Sequence, residues 1–222
     1  MNTPIAHSTN SHSGALETSR VMRNTYSLLS MTLLFSAATA GIAMVMNLPP
    51  FNPILTLVGY FGLLFATTKF SNSGLGLLFV FMLTGFMGLT LGPILNFYMA
   101  TANGSQLVMT ALGGTGVIFL ALSGYALTSR KDFSFMGGFL MVGILVAFLG
   151  GIAAMIFSMP IMSLVVSGMF VLLMSGLILY QTSDIIHGGE TNYILATVTL
   201  YVSIYNLFLS LLHLLTAFGG ED

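Results

Sequence analysis

The charged residues of this chain are gathered into a few short segments, and the stretches between them limit what it can fold into. No Asp, Glu, Lys or Arg falls between Arg23 and Lys69, between Lys69 and Arg130, between Asp132 and Asp184, or between Glu190 and Glu221. A helix needs about 20 mostly apolar residues to cross the hydrocarbon core of a bilayer, and a charge at its centre costs roughly 2.5–3.5 kcal/mol on insertion scales. The charge-free stretches therefore point to an all-α integral membrane protein that crosses the bilayer several times. Composition agrees, with 56% hydrophobic and 5% charged residues, where a soluble domain carries roughly 25% charged. The five Lys and Arg are scattered over three places, so no basic patch exists to neutralise phosphates, which argues against nucleic-acid binding. With no cysteine, disulfides, Cys-ligated zinc, iron–sulfur clusters and thiol catalysis are excluded.

Turn residues divide the apolar stretches into seven expected spans, 25–46, 54–68, 74–98, 107–128, 133–157, 161–186 and 193–218. The breakers between them include Asn47-Leu48-Pro49-Pro50, Ser71-Asn72-Ser73-Gly74, Ser158-Met159-Pro160 and His187-Gly188-Gly189. The second span is short for a crossing and is expected to borrow flanking residues or lie beside a thinned, protein-shielded region. Arg20 and Arg23 precede the first span, Lys69 follows the second, and Arg130 with Lys131 follows the fourth, whereas the loops after the first, third and fifth carry no basic residue. The positive-inside rule then places the N-terminus in the cytoplasm and residues 219–222 on the opposite side. Residues 1–24, rich in Ser, Thr, Asn and His and without apolar periodicity, are expected to form a flexible cytoplasmic tail ahead of a transmembrane domain over 25–218. The long first apolar run is expected to stay as an anchor and not to be cleaved as a signal peptide.

Small residues recur every four positions, at Gly143, Ala147 and Gly151, at Gly88 and Gly92, and at Ala37 and Gly41, as close helix packing requires. In the seventh span Thr199, Ser203, Asn206, Ser210 and His213 are spaced by four, three, four and three, which puts them on one helix face. Such a stripe avoids lipid, so it faces either neighbouring helices, as hydrogen-bonding glue, or a hydrated cavity. A second polar cluster, Asp184, His187 and Glu190 around Gly188-Gly189, ends the sixth span and reads as a solvated loop or partner contact, the three being too weakly ordered for a metal site. No Gly-x-Ser-x-Gly, His-Glu-x-x-His or pair of intramembrane acids is present, so no enzyme and no cofactor or metal are expected.

The run Gly88-Leu89-Thr90-Leu91-Gly92-Pro93-Ile94-Leu95, then Ala111, Thr115 and Phe119, resembles the signature of the Bax inhibitor-1 (TMBIM) family, with Gly88, Gly92 and Pro93 at its centre. Leu200-Tyr201-Val202-Ser203-Ile204-Tyr205-Asn206-Leu207-Phe208 is similar to that family's last-helix motif, and Tyr180-Gln181-Thr182 to the end of its sixth helix. Arg23-Asn24-Thr25-Tyr26, Ala111-Leu112-Gly113-Gly114-Thr115, Arg130-Lys131-Asp132 and Ile185-Ile186-His187-Gly188-Gly189-Glu190 further resemble its bacterial members that modulate the membrane protease FtsH.

The resemblance implies a seven-helix bundle around a central, polar-faced seventh helix, in a bacterial inner membrane, with a periplasmic C-terminus. It implies a non-catalytic regulator that binds FtsH, and its membrane-associated regulators as further partners, and slows degradation of other membrane substrates by occupying the protease. The tail, Asn2, Thr3, Pro4, Ile5, Ala6 and His7 first, would be the handle that an ATP-driven unfoldase grips. The alternative is a pH-sensitive calcium or cation leak. Members of that kind carry facing aspartates where this chain has Gln181 and Ser203, which cannot hold a negative charge. Asp184, one turn from Gln181, is the relocated acid such a path would use, together with the polar face from Thr199 to His213.

Overall fold

Backbone N–H and C=O groups in a bilayer must be satisfied within the protein, which helices do segment by segment. A computed structural model describes residues 7–101 and 103–219. In chain order its elements are α1 (His7–Val45), α2 (Pro53–Lys69), α3 (Gly74–Met99), α4 (Gly104–Ser129), a 3-10 turn (Ser134–Met136), α5 (Gly137–Ile156), α6 (Pro160–Ile186) and α7 (Tyr193–Gly219). Among the described residues, six of the seven helices are long and apolar enough to cross a membrane, and α2, with 17 residues, is the short one.

Local chemistry explains the boundaries. Pro53 opens α2, where its missing N–H costs nothing, and the Asn52 side chain accepts from the Ile54 N–H at 2.9 Å. Pro160 opens α6 in the same way. Asn192 Oδ1 accepts from the N–H of Ile194 at 2.9 Å and starts α7. The first helix departs from expectation. It runs from His7, well before the apolar run, because no proline lies between Pro4 and Pro49 and a helix anchored in a bundle propagates outward cheaply. Val21 packs with Ile185 and Ala196, so the last part of the expected tail joins the bundle. Asn2, Thr3, Pro4, Ile5 and Ala6 of the expected handle lie outside the described residues.

The most extensive helix pair is α1 on α3. Gly88 lies against Thr39 and the Ser36 carbonyl, and Gly92 against Ala43 and the Ala40 carbonyl, so a Cβ at either glycine would meet backbone or a stiff side chain. On α1 the approaching face is Ser36, Ala40 and Ala43. The expected Ala37–Gly41 stripe points elsewhere: Ala37 is exposed and nothing lies within 4 Å of a Cβ at Gly41. One position of phase rotates a helix by about 100°, and several small residues in a row left that phase open. On α5, Gly143 and Ala147 pack as their spacing suggests, Gly143 against Leu173 of α6.

The seventh helix packs on α1, α3, α4 and α6, while α2 joins the bundle mainly through α3 and α5 mainly through α6. In its most apolar window 56% of α7 residues are buried, more than in the corresponding window of any other span. The connections after α2, α4 and α6 meet at one end. Asn192 Nδ2 donates to Asn72 Oδ1 at 2.9 Å, and Ser183 Oγ donates to the Lys131 carbonyl at 3.0 Å. Near that end the Thr197 hydroxyl reaches the Thr25 carbonyl at 3.3 Å, so Arg20, Arg23, Lys69, Arg130 and Lys131 share one end of the bundle.

We expect Gly92→Val to destabilise the bundle by about 1–3 kcal/mol through overpacking at the α1–α3 seam, read as the unfolding midpoint in mixed detergent micelles. Gly41→Ala should leave that midpoint unchanged, and an equal loss in both variants would contradict the assigned seam.

Candidate functional site

Two regions gather polar groups: the inner face of α7 and the charged end of the bundle. In α7 two of the five residues of the expected stripe turn back onto their own helix. Ser203, fully buried, donates to the Thr199 carbonyl at 2.7 Å, and Asn206 Nδ2 donates to the Val202 carbonyl at 2.8 Å. A hydroxyl or amide that satisfies itself four residues back contributes little to holding a neighbouring helix. His213 is the exception, with Nδ1 2.8 Å from the Ser167 hydroxyl of α6. Asn206 lines a large cavity bounded by α2, α3, α5, α6 and α7, and Ser210 and His213 line a smaller one beside it.

The cross-helix bonds come instead from residues that patterning did not single out. Ser36 and the Tyr201 hydroxyl are 2.6 Å apart, and that hydroxyl donates to the Thr84 carbonyl at 3.3 Å, which ties α1, α7 and α3 at one atom. One turn on, the Tyr205 hydroxyl lies 3.5 Å from the Thr90 hydroxyl and donates to the Met87 carbonyl at 3.4 Å. Thr182 of α6 sits between the Tyr26 hydroxyl at 3.3 Å and the Ser123 hydroxyl at 3.4 Å, which links α1, α6 and α4. The available signal was chemical: a tyrosine inside an apolar helix carries a hydroxyl that must find a partner.

At the positions that the family resemblance singles out, no hydrogen bond joins Gln181 to Ser203. Gln181 is buried, and its Nε2 has no partner among the described residues. Its neighbour one turn on, Asp184, is half-buried, with its carboxylate against Gly189.

At the charged end, Ser183 Oγ accepts from the Phe133 N–H at 3.0 Å, which docks the α4–α5 connection onto the end of α6. His187 places Nδ1 2.8 Å from the Ser183 carbonyl and Nε2 3.2 Å from the Arg130 carbonyl. Carbonyl oxygens only accept, so a neutral imidazole satisfies one of them and an imidazolium both. Asp132 Oδ1 accepts from the Ser134 N–H at 2.9 Å. That backbone bond, with the Ser134 hydroxyl, holds the exposed Asp132 carboxyl below the ordinary carboxylate range. Glu190 accepts from the Asn192 N–H at 2.7 Å, so Asp184, His187 and Glu190 serve different partners. Among the described residues no three His, Asp or Glu side chains are gathered as a metal site would need.

The family model described as "Inhibitor of apoptosis-promoting Bax1" matches residues 18–220. The chain is 51% identical over 218 residues to the "Modulator of FtsH protease YccA" of Escherichia coli strain K12, covering 98% of this chain and 99% of that one. It is also 51% identical to the "Inner membrane protein YccA" of a second Escherichia coli strain, over the same shares. An uncharacterised membrane protein of Vibrio cholerae is 43% identical over the full length of both chains.

Removing the Tyr201 hydroxyl should cost more than removing any hydroxyl of the expected stripe. We expect Tyr201→Phe to lose roughly 0.6–1.7 kcal/mol, the range for hydrogen bonds between helices in membranes. Ser203→Ala should change little. Unfolding in mixed micelles compares the two, and the reverse order would remove Tyr201 as the junction.

Proposed function

Because the chain belongs to the Bax inhibitor-1 family, we propose that it is a non-catalytic regulator that binds the membrane protease FtsH and slows degradation of other membrane substrates by occupying it. It is a multi-pass inner-membrane protein. The observation that carries the proposal is the end-to-end likeness to the Escherichia coli modulator, which leaves no large part of the chain for a different task.

Physical features support the same reading. The positive-inside rule puts the end that holds every Lys and Arg in the cytoplasm, with the N-terminus beside it and the C-terminus in the periplasm. An unfoldase that grips residues 2–17 pulls on α1 first. That helix is the most extensively packed on α3 and is tied to α7 through Ser36 and Tyr201. Extraction from that end must open the tightest seam of the bundle before any other helix is released, so the protease stays engaged while little is degraded.

The cation-leak alternative has less support. Gln181 and Ser203 replace the charged pair, and the residues lining the two cavities include no Asp or Glu. A permeating calcium ion would lack the acidic oxygens that hold it elsewhere.

The test is degradation of a model membrane substrate by purified FtsH in proteoliposomes, with the full chain, the chain without residues 2–17, or neither. We expect the full chain to slow substrate loss and itself to be turned over slowly. The truncated chain should still bind and inhibit, for longer, while escaping turnover. Unchanged turnover after truncation would sink the handle, and unchanged substrate loss with either form would sink the regulator.

A further inference from the structure

The bundle holds an apolar cavity of about 1010 Å³ between α2, α3, α5, α6 and α7 and beside it a smaller one of about 280 Å³. The two share Ile94, Tyr98 and Leu209 in their walls, so they adjoin, a two-part chamber with unlike chemistry in each part. The large part is walled by aromatic and aliphatic side chains such as Phe86, Phe148 and Met174, and it is near the upper end of the volume that holds a small ligand, about 300–1,000 Å³. The small part presents Ser167, Ser210, His213 and the Tyr98 hydroxyl.

The polar groups of the small part are mostly donors without partners. The Ser167 hydroxyl and His213 Nδ1 occupy each other at 2.8 Å, which leaves His213 Nε2 without a partner among the described residues. Ser210, 8% exposed, makes no side-chain hydrogen bond among the described residues, and neither does Tyr98. With Nδ1 accepting from Ser167, three N–H or O–H groups are free to converge on an acceptor-rich head. Neither cavity is lined by Lys or Arg, and a His213 whose Nδ1 accepts from Ser167 is neutral, so an anion there meets N–H and O–H donors with no full positive charge beside it. That matches a head bearing a single negative charge better than a phosphate.

The placement suits an amphiphile entering from the bilayer. Tyr98 is one residue from the end of α3, and His213 is six residues, about 9 Å, from the end of α7, so the polar part sits near one membrane surface. Asn206 lies about 10 Å deeper along α7, in the apolar part. The outer lining residues Phe61, Phe97, Met141 and Leu145 are exposed on the flank of the bundle, where lipid tails would lie. There α2 and α5 meet through Phe61 and Phe148, edge to face at 5.7 Å.

We propose that this chamber is a binding site for a long-chain fatty acid, its carboxylate held by His213, Ser210 and Tyr98 and its alkyl chain in the apolar cavity between α2 and α5. The proposal stands apart from the protease reading, since it rests on the chamber alone.

A photoreactive long-chain fatty acid, crosslinked to the full chain in phosphatidylcholine vesicles and mapped by mass spectrometry, tests it. Adducts should concentrate on residues lining the chamber, saturate, and be competed by oleate about ten-fold better than by oleyl alcohol, as loss of a charge-assisted hydrogen bond implies. His213→Leu and Ser210→Ala should each weaken oleate competition while leaving the alcohol's unchanged. Equal competition by acid and alcohol, or adducts spread evenly over the outer faces of the helices, would overturn the site. Stronger competition by lysophosphatidate than by oleate would overturn the carboxylate as its ligand. The comparison of acid with alcohol uses the unaltered chain and decides the question even where a variant fails to fold.

Discussion

The close approach of α1 to α3 is the constraint on which the rest of the bundle depends. In a bilayer, apolar side chains gain little by leaving lipid for one another, so a helix pair needs atoms in contact along its backbones and hydrogen bonds that lipid cannot offer. Gly88 and Gly92 let the carbonyls of Ser36 and Ala40 come close, and the Ser36 hydroxyl, brought inward by that approach, meets Tyr201. Tyr201 in turn sets the rotation of α7, and with it the direction in which Tyr205, Asn206 and His213 face. Widening the seam would shift the walls of both cavities at once, since α3 and α7 line each of them.

The two ends of the bundle are chemically unlike. One end carries all the basic residues and a set of loop-to-helix hydrogen bonds through Ser183, His187, Asn192 and Asn72. Those loops are short, and several of their polar groups are already engaged with one another. The loops at the other end carry no charged residue, only exposed neutral polar ones such as Asn47, Asn52, Thr101 and Ser158, and the cavity around His213 lies near it.

Of the five stripe residues on α7, the spacing placed all on one side, but it could not say what each would touch. Ser203 and Asn206 satisfy themselves on their own helix, and His213 alone crosses to α6. The same limit applied to Ala37 and Gly41, which share the spacing of a packing motif and lie off the seam, whereas Gly88, Gly92 and Gly143 do lie on one. Tyr201 lies inside the last-helix motif, but a motif is a pattern along one helix and does not show that its hydroxyl joins three helices.

Charge placement, together with the turn residues that break the apolar stretches, determined the number and approximate limits of the helices and which loops are basic, because the cost of a charge in hydrocarbon and the geometry of a turn act on each segment independently of its neighbours. The motifs added the family in the same local way. Only the tertiary structure decided the rotation of each helix, the partners of the buried hydroxyls, the extension of α1 back to His7 and the existence of the two adjoining cavities. Those depend on which residues from distant parts of the chain arrive at the same place, and a pattern with a period of 3.6 residues defines a face without naming what lies opposite it.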